Sequence, residues 1–347
     1  MAKNDSEGLL ETLFWSPRRV GGNAKKLRAR AGKVARGVPE VMVKVTGFGK
    51  GAGHVKSHLD YITRHGKVEL ENERGEVFSG KQEVHDLFEQ WAEEFADGKQ
   101  YKNRRDTMHM VLSMPPGTEP EAVRNAVREY ARQTFGANHE YAFVLHTDEP
   151  HPHCHLTVKC RGFDGKQLNP KKADLQAWRE AFALEMEAEG VPAEATPRRS
   201  RGVTRKATRQ SLVHLEKRQP SRVQASRQLR AINDIKRAAN GQQTPIDPWA
   251  VRAKASQAAV KATWRAVADK LDVSPSHEEK ALAGRIRGFV DRMPPALTAQ
   301  EQARADLLRQ FTKQTDIAKQ QTAAAEQGEA PRQRGSTRGK SPSGPSR

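Results

Sequence analysis

The sequence contains little cysteine, few aromatic residues and no long apolar run. Its 347 residues include two cysteines, Cys154 and Cys160, which excludes a fold held together by a framework of several disulfides. No apolar run approaches the roughly 18 residues that a membrane-spanning helix needs, and no secretory signal pattern opens the chain. We therefore expect a cytoplasmic protein without membrane insertion, long enough for one or two domains.

Acidic residues are scarce in three segments that flank a central block. Residues 1–38 carry a net charge of +6, residues 197–238 carry +11 and residues 331–347 carry +5, whereas residues 39–196 carry −6. Basic segments around a folded centre are typical of chains that bind a polyanion, most commonly nucleic acid. Because residues 16–37 also have almost no large apolar side chain, we expect a flexible basic arm at 1–38.

The central block alternates strand patterns with amphipathic helical patterns. We predict strands at residues 41–45, 107–113, 141–146 and 153–161, and helices at residues 54–65, 82–96, 118–135 and 172–189. The last two strands are separated only by residues 147–152, so they should pair as an antiparallel hairpin. The mixed order of elements favours an α/β fold, a two-layer sandwich with a mainly antiparallel sheet, over a doubly wound parallel sheet.

After residue 195 the chain is rich in Arg, Gln, Ser and Ala, and no strand pattern stands out. We expect a largely helical and disordered basic C-terminal region. It divides into a basic helical or linker region at 196–245, a small helical region at 246–320 and a disordered basic tail at 321–347. Residues 39–195 then form the folded domain that carries the chemistry.

Four histidines and two acids fall within the ten residues 146–155. In an extended strand alternate side chains share one face, so His153 and His155 lie on a polar face and Cys154 on an apolar one. His146 ends the neighbouring strand and can bring a third imidazole beside the other two. Three imidazoles suit a divalent transition ion and leave positions open for water or phosphate oxygens.

Two further polar residues lie in the connection between these strands. His151 stands just ahead of the paired segment, so we interpret it as a DNA contact or an accessory group rather than a metal ligand. Asp148 is two residues from His146 and can orient an imidazole or accept a proton. A solvated loop acid is the alternative interpretation of Asp148.

A metal held by histidines can polarise a phosphoryl oxygen or activate a water, so the reaction depends on which nucleophile is present. Of the four tyrosines, Tyr61 lies in the first helix of the central block, close to Arg64 and Lys67, which favour a phosphate. On the residues alone, a packed helical tyrosine and a nucleophile are equally consistent with Tyr61. The glycine loop at 47–53 lacks the pattern of a P-loop, and we interpret it as a tight turn that lets DNA approach the backbone.

Two segments of the central block together resemble the relaxase or mobilisation nuclease family of conjugative plasmids, which are HUH endonucleases. They are HLDYITRHGKVELE at 58–71 and HTDEPHPHCHLTVK at 146–159. The resemblance covers residues 39–195 and is to the MOBP type, in particular to the branch that includes the border-nicking endonuclease of Ti plasmids. It implies the HUH relaxase fold and maps the nucleophile of the family onto Tyr61. The acid of its HxD pair corresponds to Asp148, and its metal-binding histidines correspond to His146, His153 and His155.

The resemblance also implies an activity and a set of partners. The expected activity is that of a relaxase, a site- and strand-specific DNA endonuclease or transesterase that uses Mg²⁺ or Mn²⁺. It would nick one strand at the origin of transfer, form a 5′-phosphotyrosyl link and pilot the strand during conjugative mobilisation. The partners would be single-stranded and supercoiled DNA, auxiliary relaxosome proteins and a type IV coupling protein or secretion system, which would export the protein from the bacterial cytoplasm through a signal in residues 331–347. Independently of the resemblance, the expected DNA contacts are Arg64, Lys67 and His151 in the central block and, from the basic composition of the segment after it, Arg198, Arg199 and Arg201.

Two alternative functions are consistent with the same residues. A rolling-circle replication initiator or transposase uses the same histidine and tyrosine chemistry, but in the common replication forms the tyrosine follows the histidines, whereas Tyr61 precedes them. A nonenzymatic DNA-binding protein or repressor could keep the same scaffold. The intact tyrosine and histidines favour an enzyme over such a binder.

Overall fold

The computed structural model describes residues 5–14, 24–95, 105–203, 222–244 and 247–328. These residues divide into two compact units. The larger unit comprises Met1–Thr204 and Ser256–Pro294, and the smaller unit comprises Arg205–Ala255 and Pro295–Arg347. The expected export signal at 331–347 lies outside the described residues, and so do residues 204–221 of the expected basic linker.

The larger unit is built on a six-stranded sheet in which every neighbouring pair of strands is antiparallel. The strands are β1 (Met42–Gly49), β2 (Leu70–Asn72), β3 (Val77–Phe78), β4 (Thr107–Ser113), β5 (Tyr141–His146) and β6 (His153–Lys159). Their order across the sheet is β1-β4-β6-β5-β2-β3. The predicted hairpin of β5 and β6 is confirmed, and so is the predicted α/β fold with a mainly antiparallel sheet.

Ten α-helices occur among the described residues. They are α1 (Asp5–Phe14), α2 (Ala24–Arg36), α3 (Ala52–Ile62), α4 (Gly80–Phe95), α5 (Pro120–Thr134), α6 (Lys172–Ala188), α7 (Arg222–Ala239), α8 (Pro248–Asp272), α9 (His277–Asp291) and α10 (Ala299–Gly328). A short 3₁₀ helix spans Arg198–Arg201. In the part of the chain that the structure covers, none of these helices has the length and apolar character needed to cross a membrane.

The two faces of the sheet are covered by different helices because the strands alternate their side chains. Leu156 of β6 packs with Phe182 of α6 in a core that also includes α5. On the other face, Val144 of β5 packs with Leu59 of α3 and Trp91 of α4. Since α3 and α4 cover mainly β5 and β2, Met42 and Lys44 of β1 on the same face are left exposed.

Residues 1–38 contain two packed helices instead of the expected flexible arm. Leu27 and Val34 of α2 are buried against Trp264 of α8 and Ile286 of α9. The segment has too few apolar residues to form a core by itself, but these partners, more than 200 residues away in the sequence, complete one. The N-terminal helices therefore belong to the larger unit.

The basic side chains of α2 are held by acidic residues of the same unit. The Arg30 guanidinium donates to Glu194 Oε1 at 2.9 Å and to Glu180 Oε1 at 3.0 Å. Lys33 forms an ion pair with Glu187. These contacts tie α2 to the region around α6, which explains why a charged segment is ordered here.

Trp264 anchors this helical core, and its truncation should destabilise the protein strongly. Its side chain is fully buried, and its Nε1 donates to the Ser200 carbonyl oxygen at 2.7 Å. We expect Trp264→Ala to lower the free energy of unfolding by about 3–5 kcal/mol. The control, Trp249→Ala, removes a side chain that is 69% exposed and should cost less than about 0.5 kcal/mol. Urea unfolding measures both, and equal losses would contradict this packing.

Helices α8 and α9 lie in the small helical region expected at 246–320. They do not form a separate module, because α9 and the part of α8 from Ser256 onward belong to the larger unit. In the smaller unit, α7 and α10 contact each other, and Gln300 Nε2 donates to Asp234 Oδ2 at 3.1 Å.

Candidate active site

Three imidazoles meet at the end of the β5–β6 hairpin. His146 lies directly opposite His153 in the strand register, and His155 is the next residue on the same face of β6. The ring centroids of His146 and His155 are 4.6 Å apart, and those of His153 and His155 are 5.3 Å apart. One nitrogen from each ring lies within 4.8 Å of the other two. The structure thus brings together the three residues that were expected to bind a metal.

The hydrogen bonds of these imidazoles leave lone pairs available for a metal ion. His146 Nε2 lies 2.6 Å from the Ile62 carbonyl oxygen, which only accepts, so Nε2 carries the proton. His146 Nδ1 is then an unprotonated, buried nitrogen without a hydrogen-bond partner among the described residues. In the same way, the His151 carbonyl oxygen accepts from His153 Nδ1 at 3.2 Å and leaves His153 Nε2 free. A divalent ion fits this set of donors.

Two of the imidazoles, His153 and His155, are also kept neutral. Burial and, to a smaller extent, the neighbouring rings of His146 and His153 together lower the pKa of His155 to about 3. Burial likewise lowers the pKa of His153. Because a protonated imidazole cannot bind a metal, these shifts keep both lone pairs available at neutral pH.

Tyr61 projects from the last turn of α3 towards these rings. Its side chain is 58% exposed, and its ring lies edge-on to His155 with 6.2 Å between the centroids. This exposure excludes the interpretation of Tyr61 as a packed core tyrosine. Tyr130 and Tyr141, for which packing was predicted, are buried in the core. Of these three tyrosines, Tyr61 is the one beside the imidazoles.

A sharp turn ends α3 directly after Tyr61. Arg64 and His65 have φ angles of 52° and 58°, and Gly66 follows with 84°. Left-handed backbone at a residue other than glycine costs about 1–3 kcal/mol, and such residues are enriched at functional sites. A Cβ atom at Gly66 would overlap the backbone of Gly80 and Lys81. The turn therefore holds Arg64 close to the site.

Arg64 and Asp148 connect the turn to the imidazoles. Arg64 Nη2 lies 2.5 Å from Asp148 Oδ2, and the other carboxylate oxygen lies 3.9 Å from His146 Nδ1. The Arg64 guanidinium carbon lies 5.8 Å from the centre of the Tyr61 ring. Asp148 is therefore placed between a cation and an imidazole, within reach of the same site as Tyr61.

The other residues expected to contact DNA differ in their surroundings. Lys67 is exposed in the loop after α3, and the His151 ring stacks on His153 at 5.6 Å. Arg198 and Arg199 are exposed in the 3₁₀ helix, so all four side chains stay accessible to a phosphate.

Arg201 is tied into the fold instead. Its Nε donates to Thr196 Oγ1 at 2.9 Å, and its Nη1 donates to the Val38 carbonyl oxygen at 2.8 Å. These contacts hold the 3₁₀ helix against the segment before β1. Arg201 thus stabilises the fold here, and its expected contact with DNA stays a prediction.

A second pair of imidazoles, missed in the sequence, lies beside the first group. The rings of His58 and His109 stack with 3.4 Å between centroids and 3° between planes. His58 Nε2 and Thr157 Oγ1 are 3.1 Å apart, and His109 Nε2 and Thr107 Oγ1 are 2.9 Å apart. Burial lowers the pKa of His58 to about 3 and that of His109 to about 4, so both rings are neutral at pH 7. Because side chains alternate along β6, the sequence places Thr157 on the polar face. No local pattern in the sequence indicates that α3 lies against β4, so the stack of His58 on His109 could not be predicted.

The glycine loop packs against this second pair. A Cβ atom at Gly49 would overlap Thr107 Oγ1 and lie 3.3 Å from His109 Nε2. The lack of a side chain at Gly49 is thus required by contacts within the protein itself. A Cβ atom at Gly53 in α3 would by contrast meet no other described atom within 4 Å.

We expect Gly49→Ala to destabilise the protein by about 1–3 kcal/mol, because the added methyl group must displace Thr107 or His109. Gly53→Ala is the matched control and should be neutral or stabilising by up to about 1 kcal/mol, since alanine favours a helix. Thermal unfolding of both variants measures the difference. A Gly49→Ala protein as stable as Gly53→Ala would contradict the close packing of this loop.

Comparisons with known proteins match the part of the chain that carries this site. A family model of the relaxase MobA/VirD2-like nuclease domain matches residues 61–190. The chain is 26% identical over 207 residues to the T-DNA border endonuclease VirD2 of Rhizobium radiobacter, which covers 54% of this chain and 48% of that protein. It is 27% identical over 184 residues to VirD2 of Agrobacterium fabrum strain C58, covering 48% and 41%.

A protein that is not a VirD2 endonuclease by name matches a shorter region of the chain. The chain is 27% identical over 133 residues to the 43 kDa relaxation protein of Salmonella typhimurium, covering 35% of each protein. The chain thus spans less than half the length of these curated relatives.

Proposed function

We propose that the chain carries a nuclease domain of the MobA/VirD2-like relaxase type, whose family model matches residues 61–190, and that it nicks one strand of DNA with Tyr61 as the nucleophile. The observation that supports this proposal is the exposed Tyr61 ring, 6.2 Å from His155 in a group of three imidazoles with free lone pairs. The DNA would be an origin of transfer, where the strand is released for conjugative mobilisation.

In the proposed mechanism His146, His153 and His155 hold the divalent ion, Mg²⁺ or Mn²⁺. When bound, that ion stabilises the negative charge that develops on the scissile phosphate. A free phenol has a pKa of about 10, so full ionisation at pH 7 costs about 4 kcal/mol and needs a proton acceptor. Asp148 is the acceptor we propose, because its carboxylate lies beside His146 and faces the same site.

The reaction exchanges one phosphodiester for another. The phenol oxygen of Tyr61 forms a bond to phosphorus, and its proton passes to Asp148. The bond from phosphorus to the 3′ oxygen breaks, and that oxygen takes up a proton. The products are a 5′-phosphotyrosyl link and a free 3′-hydroxyl, so the step conserves bond energy and can run in reverse to rejoin the strand.

The cations around the site would bind the DNA backbone. Arg64 is paired with Asp148 in the free protein, and a DNA phosphate can take the place of that carboxylate. This exchange would release Asp148 to accept the proton of Tyr61. Lys67, His151 and the exposed Arg198 and Arg199 are proposed to contact further phosphates.

Transfer of the DNA would require partners. We propose auxiliary relaxosome proteins at the origin of transfer, and a type IV coupling protein or secretion system that receives the protein with its attached strand. In this proposal residues 331–347 serve as the export signal.

The test is formation of a covalent adduct. The full-length protein is incubated with Mg²⁺ or Mn²⁺ and supercoiled DNA carrying the region beside its own gene, and the products are denatured before electrophoresis. We expect a nicked strand that migrates with the protein. A protein that binds this DNA and the metal but forms neither nick nor adduct would contradict the proposed function and favour a nonenzymatic binder.

A further inference from the structure

The face of the sheet that carries the imidazoles continues onto β4 and β1. His155 of β6 lies opposite Val111 of β4, and Val111 lies opposite Lys44 of β1. Residues paired in this way share one face, so Lys44 stands on the same side of the sheet as His155. Val43, the neighbour of Lys44, points to the opposite face and is buried in the core that includes α6.

Side chains on this stretch are open to solvent. Lys44 is exposed, Met42 is 42% exposed and Val111 is partly exposed. Of the apolar side chains of α3 and α4 on this face, Val55 lies over β1 at Gly49, and most of the others pack with β5 and β2. A band from His155 across Val111 to Lys44 and Met42 is therefore accessible.

The charge of this band favours a polyanion. Neither β1 nor β4 contains an acidic residue, and Lys44 has no ion-pair partner within the described ranges. Arg64, on the other side of the imidazoles, is by contrast paired with Asp148. An unpaired ammonium group beside apolar side chains suits single-stranded nucleic acid, whose phosphates contact the cation while its bases lie on the apolar surface.

The distance between Lys44 and His155 across the sheet determines which nucleotide would reach Lys44. Neighbouring strands are about 4.8 Å apart, so two strand spacings place Lys44 about 10 Å from His155 across the sheet. A stacked DNA strand advances about 3.4 Å per nucleotide, so this distance corresponds to about three nucleotides at most. An extended strand would cover the distance in fewer.

We propose that Lys44, Val111 and Met42 form a subsite for the DNA strand next to the scissile phosphate, with Lys44 on a phosphate within about three nucleotides of the nick. The strand then crosses the sheet from Tyr61 towards β1. This inference rests on the proposed function, because it takes Tyr61 and His155 as the position of the scissile phosphate.

Amine footprinting tests the subsite without knowledge of the nick sequence. The full-length protein is acetylated with and without a saturating short thymidine oligonucleotide, and the modified lysines are identified by mass spectrometry. We expect Lys44 to be protected by the oligonucleotide. Lys172, an exposed lysine in α6 on the opposite side of the sheet, is the control and should react equally in both samples.

The salt dependence of binding gives a second measurement. Each phosphate contact on a single strand contributes about −0.7 to the slope of log affinity against log salt. Lys44→Gln should therefore reduce the magnitude of this slope by about 0.7, and Lys172→Gln should leave it unchanged. Unprotected Lys44 at saturation, or an unchanged slope in Lys44→Gln, would overturn the subsite. Neither result depends on the Tyr61 adduct, so failure of the proposed function is seen separately in the adduct assay.

Discussion

Tyr61→Phe is expected to abolish the covalent DNA adduct and to reduce nicking of supercoiled DNA by at least about a thousandfold. Phenylalanine keeps the ring beside His155 but lacks the oxygen that would attack phosphorus. Because the side chain is 58% exposed, the free energy of unfolding should change by less than about 0.5 kcal/mol. Adduct yield after denaturation measures the first effect, and urea unfolding measures the second.

Tyr130→Phe is the matched control for this prediction. It removes the same hydroxyl group from a tyrosine that is fully buried in the core beneath α6. We expect adduct formation to persist in this variant. An undiminished adduct in Tyr61→Phe, or its loss in a stably folded Tyr130→Phe, would show that the nucleophile had been assigned to the wrong residue.

His155→Ala is expected to weaken Mn²⁺ binding by at least about a hundredfold, since even the loss of a group that only orients a ligand costs about 10- to 100-fold. It removes one of the three nitrogens that lie within 4.8 Å of one another. Nicking should fall with metal occupancy. Calorimetric titration with Mn²⁺ and the adduct assay at fixed Mn²⁺ measure the two effects.

His151→Ala is the control in the same segment. Its ring stacks on His153 but does not belong to the group of three, and its carbonyl oxygen, which accepts from His153 Nδ1, is kept in the variant. We expect Mn²⁺ affinity close to that of the unaltered protein. Equal losses in His151→Ala and His155→Ala would contradict the proposed metal site.

Four of the six strands and the group of three imidazoles could be predicted because their signals are local, whereas the short strands β2 and β3 were missed. Strands such as β5 and β6 are recognisable from short runs that include aromatic, β-branched and other apolar residues, and six residues between them favour a hairpin. The alternation of side chains then places His153 and His155 on one face of β6. Pairing within the hairpin brings His146 of β5 beside them on the same face. These steps require no information from distant parts of the chain.

The helices of residues 1–38 could not be predicted in this way. The few apolar residues of α2, among them Leu27 and Val34, find their partners Trp264 and Ile286 far along the sequence. Basic residues that suggest a flexible arm are instead paired with acids such as Glu194. Local composition carries no information about such distant partners.

The site shows the same division between local and distant information. The exposure of Tyr61 follows from the orientation of α3 on the sheet, and the stack of His58 on His109 follows from the approach of α3 to β4. Nothing in the sequence distinguishes Arg201 from its neighbours Arg198 and Arg199. In the structure it donates hydrogen bonds to the Val38 carbonyl oxygen and to Thr196 Oγ1. These placements come from packing that the sequence alone does not specify.

The central claim is that Tyr61 becomes joined to the DNA 5′-phosphate, and identification of the attachment residue tests it most directly. The adduct is digested with nuclease and protease, and the peptide that carries the remaining nucleotide is sequenced by mass spectrometry. We expect a 5′-phosphonucleotide on Tyr61 and a free 3′-hydroxyl at the nick. A nucleotide on another residue, or a nick that carries a free 5′-phosphate and no protein, would contradict the mechanism.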